Sequence, residues 1–112
     1  MRIGGQEAGA ASGGWLDVVN PATGETLDRV PAGGKEDVEA AVGAAEGALG
    51  RWSEKTPRDR GKILFHAAEA IRAGHRDLAH ILTWEQGKPL REAVDEVRGC
   101  ANVLEFYASI SG

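Results

Sequence analysis

One cysteine, six aromatic side chains and four prolines are all that these 112 residues supply. A lone thiol, Cys100, excludes an intramolecular disulfide and a zinc site built from cysteines alone. Long hydrophobic runs are missing too: none approaches the roughly 20 residues that span a bilayer, and no charged start leads into an apolar signal core. The expectation is therefore no membrane segment and, by default, a cytoplasmic chain. Positive charge is scarce, with 13 Lys and Arg against 17 Asp and Glu and a net charge of −4. That balance offers no broad electrostatic footprint for nucleic acid. Large apolar side chains are also short in supply. Hydrophobic residues make up 42% of the chain, but 18 of them are alanine, and 16 further positions are glycine. Each buried methylene contributes only about 0.8 kcal/mol, so the expected core is thin. Charged residues at 27% with a small net charge still place the chain among folded proteins.

What is present falls into three stretches. Residues 1–14 form a flexible glycine- and alanine-rich start, in which Arg2-Ile3 and Gln6-Glu7 flank a turn at Gly4-Gly5. Residues 15–31 predict a β-hairpin: Trp15-Leu16-Asp17-Val18-Val19, a five-residue Asn20-Pro21-Ala22-Thr23-Gly24 loop, then Glu25 to Val30, closed by Pro31. Residues 35–112 predict a helical segment, because the apolar period changes there from 2 to 3.6. Its first helix has Val38, Ala41, Val42, Ala45, Ala48 or Leu49, and Trp52 on one face, with Glu36 and Asp37 at the positive end of the dipole. Thr56-Pro57 caps a second helix, burying Ile63, Leu64, Ala67 and Ile71 and stopping at Gly74. A third, with Leu78, Ile81 and Leu82, ends at Gly87. Pro89 opens a fourth with Leu90, Ala93 or Val94, Val97, Ala101, Leu104 and Ala108 on one face. The expected fold class is mainly α with an N-terminal β-hairpin and four helices.

Chemistry is harder to find. No two glycines sit two apart, so Gly-x-Gly-x-x-Gly is excluded. Lys35, Lys62 and Lys88 each follow a glycine, but Arg29, Thr56 and Leu82 stand where a P-loop needs its first glycine. His75 and His80 lie about 140° apart around a helix, and His66 with Glu69 makes only two ligands. Cys100 has no histidine within ten residues, and Arg98 points about 200° away, so a buried small hydrophobe is the expected role. The basic run Arg51, Lys55, Arg58, Arg60 and Lys62 is broken by Glu54 and Asp59 and reads as a solvated helix start. Glu92, Asp95 and Glu96, interleaved with Arg91 and Arg98, read as an exposed helix surface. No residue is assigned a catalytic or cofactor-binding role.

The order of the segments is more specific than any one of them. Val18-Val19-Asn20-Pro21-Ala22-Thr23-Gly24-Glu25 leads through Arg29-Val30-Pro31-Ala32-Gly33 into Glu36-Asp37-Val38-Glu39-Ala40-Ala41-Val42. Trp52, Arg60, Leu78-Ala79, Glu85-Gln86-Gly87-Lys88-Pro89, Glu92-Ala93, Glu96-Val97 and Phe106-Tyr107-Ala108 follow. This succession, from residue 2 to about 108, resembles the amino-terminal segment of the NAD(P)-dependent aldehyde dehydrogenase superfamily. Glu85 to Leu90 followed by Glu92-Ala93 is similar to succinate-semialdehyde dehydrogenase-like members.

The resemblance implies the N-terminal part of an α/β coenzyme-binding domain within a much longer polypeptide. It implies oxidation of an aldehyde to a carboxylate through a cysteine thiohemiacetal, with hydride passing to NAD or NADP. It places the nucleophilic cysteine, the glutamate base and the cofactor contacts after this segment, so the chain alone is expected to be inactive. Cys100 does not match the family's cysteine motif, and Glu85-Gln86-Gly87-Lys88 lacks the second glycine of its glutamate motif. A single site transfers, a structural Na⁺ or K⁺ held by the Val19 carbonyl and Glu85 with groups from outside the chain. The implied partners are the remainder of the polypeptide and further copies, as a dimer or tetramer. The alternatives are a free-standing helical interaction module and a non-functional remnant.

Overall fold

The computed structural model describes residues 1–110, so the last two positions of the expected 35–112 segment lie outside the described residues. The architecture is mainly helical, with two antiparallel strand pairs preceding four helices. The chain divides into two compact units, Met1–Val19 with Gly24–Glu54, and Asn20–Thr23 with the chain from Lys55 onward.

In the first unit, β1 (Arg2–Ile3) pairs with β2 (Gln6–Glu7) across Gly4 and Gly5, both at positive φ. The stretch expected as a flexible start thus holds a hairpin. Its ends are tied where the Met1 ammonium and the Ala8 N–H bond each other's chain, at 3.0 Å each. The second hairpin pairs β3 (Trp15–Val19) with β4 (Thr26–Pro31), and Pro31 is its last residue, as its missing N–H requires. Val18 faces Asp28 while Val19 faces Thr26, so Leu27 is bulged out. This bulge shifts the register at the end nearest the turn and is not visible in the alternation.

The first unit also contains α1 (Lys35–Ser53). Here burial departs from expectation. Val38, Val42, Leu49 and Trp52 are exposed, although they line one face as the period requires. Periodicity reports a face that is able to be buried, and nothing in this unit is wide enough to cover it. Asp37 is the buried residue of the helix.

The second unit holds α2 (Pro57–Ala73), α3 (His75–Gln86) and α4 (Leu90–Ser109). Thr56 caps α2 by accepting from the Asp59 N–H, and its hydroxyl donates to the Asp59 carboxylate at 2.7 Å. Gly87 ends α3 in the left-handed region at φ 75°, donating its N–H to the Thr83 carbonyl. A side chain there would collide with Pro21, whose Cγ lies 2.8 Å from an added Cβ. The Asn20–Thr23 turn presents that proline, held by Asn20 Oδ1 accepting from the Ala22 N–H.

Small residues make the core. Gly61 and Ala68 of α2, Ala79 of α3, and Ala93, Val97 and Ala101 of α4 are buried, with Ile71, Leu82 and Val94 packed partly around them. Among the described residues no large side chain is fully buried. The expected α4 stripe is correct in Ala93, Val97 and Ala101. On α3 the buried position is Ala79, whereas Leu78 and Ile81 are about half exposed. On α2, Ile63 is likewise 43% exposed. Helices that meet through glycine and alanine approach closely, which leaves larger neighbours at the rim.

Candidate functional site

Three side-chain arrangements stand out. The first is a carboxylate latch in the first unit. Asp37 lies in the first turn of α1 and accepts from the Gly34 N–H at 2.8 Å and the Ala11 N–H at 3.0 Å. One oxygen closes the helix N-terminus, and the other pins a segment 26 residues earlier. The sequence placed Asp37 at the dipole but gave no sign of the second bond. The Gly34/Asp37 spacing of a capping box was the local signal for the first.

The second is a clamp between α2 and α4. Arg72 donates to both Glu105 oxygens, at 3.0 and 2.6 Å, and to Asn102 Oδ1 at 2.7 Å. This fork raises the Arg72 pKa and holds the Glu105 carboxyl below its ordinary range, chiefly through the hydrogen bonds themselves. The partners lie 33 residues apart, beyond the reach of any helical spacing rule.

The third is an open groove of about 360 Å³ beside the clamp, floored by Gly61, Phe65 and Ala108 and rimmed by Arg58, Lys62 and His66. Its cations are partly spoken for. Lys62 reaches Asp59 at 3.2 Å and His66 Nδ1 lies 3.1 Å from Glu69, the pair its spacing predicted. Hydrogen bonds from the Thr56 hydroxyl and from Lys62 lower the Asp59 pKa. Arg60 donates to the Lys55 carbonyl. These bonds make the basic run the solvated helix start that was expected.

The remaining singled-out residues are dispersed. His75 Nδ1 lies 2.8 Å from the Arg72 carbonyl, and His80 stacks at a tilt on Trp84 with ring centroids 5.9 Å apart. Among the described residues no group of three or more His, Cys, Asp or Glu could hold a metal ion. Cys100 corrects the expectation of burial: it is exposed on α4, because the buried arc of Ala93, Val97 and Ala101 lies to one side of it around the helix. Glu96, part of the expected carboxylate surface, pairs with Lys88. Val19 is the last residue of β3 and 43% exposed, and Glu85 is the penultimate residue of α3 and exposed.

Nucleotide chemistry finds no footing here. Both sheets are two-stranded and antiparallel, so the described residues contain no pair of parallel strands whose carboxyl ends could open a dinucleotide crevice. The helix N-terminus at α1 is occupied by its own Asp37. The residues present do not fit NAD or NADP.

Known structures supply what geometry alone does not. A succinate-semialdehyde dehydrogenase from Burkholderia pseudomallei superposes with a TM-score of 0.93 at 41% identity, over 96% of this chain and 22% of that one. A betaine aldehyde dehydrogenase from Staphylococcus aureus, solved with NAD⁺, gives 0.92 at 33% identity with the same coverage. The fold is thus shared with about a fifth of each of these dehydrogenases.

In sequence, the D-glyceraldehyde dehydrogenase (NADP⁺) of Picrophilus torridus is 42% identical over 105 residues, 94% of this chain and 21% of that enzyme. The profile of the Aldehyde dehydrogenase family matches residues 9–111. The chain belongs to the aldehyde dehydrogenase family. It spans about a fifth of the length of these relatives, as an amino-terminal segment would.

Proposed function

We propose that the chain is the scaffolding amino-terminal segment of an enzyme that oxidises an aldehyde to a carboxylate with NAD or NADP, and that it is inactive by itself. The observation that carries this reading is a match over 96% of this chain but only 22% of an enzyme whose fold it shares at a TM-score of 0.93. Covalent catalysis needs an activated nucleophile and donors aimed at the oxyanion. Neither Cys100 nor any described cluster supplies them, so the reacting groups belong to the remaining polypeptide. The relatives oxidise small polar aldehydes by name, including D-glyceraldehyde and succinate semialdehyde, and a substrate of that class is proposed here. The whole enzyme is proposed to be a cytoplasmic dimer or tetramer.

Two experiments test this. The 112 residues are joined to the part of the Picrophilus torridus enzyme that follows its matching segment, and reduced cofactor is followed by absorbance with D-glyceraldehyde. The fusion should turn over, and the 112-residue chain alone should not. Turnover by the isolated chain overturns the reading, and a sharp two-state melt of that chain favours an independent module. The Val19 carbonyl and Glu85 are proposed to contribute to a Na⁺ or K⁺ site completed by other groups. Identical melting of the fusion in potassium, sodium and choline salts removes that site.

A further inference from the structure

α2 carries a row of cations beside an apolar hollow. Arg58, Lys62 and His66 follow one another at four-residue steps, so they line one edge of the helix over about 12 Å. Gly61 and Phe65 lie next to that row, and with Ala108 of α4 they floor the groove of about 360 Å³. That volume is within the range of small-molecule sites. Gly61 and Ala108 have almost no side chain, which leaves the hollow, and Phe65 stands in it 48% exposed. The charged groups around it are nearly all committed. Lys62 is held by Asp59, His66 by Glu69, and Glu105 by Arg72. Arg58 is the exception: it is exposed and its guanidinium has no acceptor among the described residues. A free guanidinium fork matches the two oxygens of a carboxylate.

We propose that this groove binds a free medium-chain monocarboxylate, with its carboxylate on Arg58 and its alkyl chain along Gly61, Phe65 and Ala108. Three features set that chemistry. The apolar floor favours a hydrocarbon and gives a polar ligand no partners. The single uncommitted cation suits one negative charge, because a second would have to displace Asp59 or Glu69 from its own partner. Arg58 and Phe65 are seven residues apart, about 10 Å along the helix axis and roughly the length of an eight-carbon chain. A second apolar hollow, beside Ile81 and Trp84 on α3, has Asp77 on its edge and so sets a like charge against an anion. The proposal stands apart from the functional reading, since none of these residues is given a part in aldehyde oxidation.

The probe is an octanoate analogue with a terminal diazirine, photolysed at about 1 mM with the 112-residue chain and with the fusion described above. Mass spectrometry of peptides then locates the label. It should fall on the α2 peptide bearing Phe65 and the α4 peptide bearing Ala108, in both proteins. Unlabelled octanoate should displace it, and octyltrimethylammonium should not. Arg58→Gln should reduce labelling about fivefold or more, and Phe65→Ser about tenfold. Both side chains are exposed, so the circular dichroism of each variant should match the parent. Label spread over Trp15, Leu49 and Trp84, or unaltered by Arg58→Gln, is apolar adsorption and overturns the site. Displacement by the ammonium as effective as by octanoate overturns the role of the cation and with it the proposal. Label absent from both proteins, or found in the chain but not in the fusion, also overturns it, the latter because the longer polypeptide covers the groove. Label at the groove of an inactive fusion supports the site and counts against the functional reading alone.

Discussion

Replacing Gly87 by alanine should damage the second unit although it adds a single methyl group. Gly87 sits at φ 75°, where an L side chain costs about 1–2 kcal/mol. The added Cβ also meets Pro21 Cγ at 2.8 Å, below the approach that real carbon atoms make. Pro21 cannot rotate away as a lysine would, so the Asn20–Thr23 turn has to shift or the α3 cap has to open. Together the two effects predict a loss of about 1–3 kcal/mol. Among the described residues no large side chain is fully buried, so native-state hydrogen exchange is the suitable assay because it needs no sharp global melt. Amides of the last turn of α3 that exchange by opening should exchange about 5- to 150-fold faster in Gly87→Ala. Gly87→Asn separates the contributions, since asparagine tolerates the left-handed region but keeps the collision. It should recover only part of the loss. Exchange in Gly87→Ala within twofold of the parent would refute both the strain and the contact.

Other outcomes follow from the same structure. Glu105 has its carboxyl pKa lowered by Arg72, so the clamp stabilises above the ordinary carboxylate range and is lost as pH falls through the lowered value. Circular dichroism between pH 7 and pH 3 should show this acid step in the parent, and Arg72→Met should move it to higher pH. Asp37→Ala leaves two backbone N–H groups without their acceptor and should cost about 1–3 kcal/mol, read as faster exchange at Ala11 and Gly34 with α4 unchanged. The isolated chain should bind the dye ANS and melt broadly, because Trp15, Leu16, Val38, Leu49 and Phe106 are all more than half exposed. A native-like, dye-free chain would contradict that.

Helix ends were legible because their causes are local. Thr56-Pro57, Gly74 and Gly87 act within one turn, and each helix stops where its punctuation says. The hairpin ends at Pro31 for the same reason. Burial was less legible. A 3.6-residue period gives the direction of a face but not whether anything lies on it, so the α1 stripe of Val38, Val42 and Leu49 is correct in phase and yet exposed. The exposure of Cys100 has the same origin, since one position along a helix turns the side chain by about 100°. The Arg72–Glu105 clamp and the Asp37–Ala11 bond join residues 33 and 26 apart, distances at which a single sequence carries no pairing signal. Family membership was readable because order and spacing of many weak segments are more specific than any one of them.

The alanine-lined seam among α2, α3 and α4 inverts the usual map of mutability. At Ala68, Ala79, Ala93 and Ala101, each with no exposed surface, even a valine would wedge the helices apart. The bulky Ile81 and Trp84 nearby, both half in solvent, should accept polar replacements with little effect on the helices themselves. A saturation library of this chain would find its least replaceable positions among its smallest side chains.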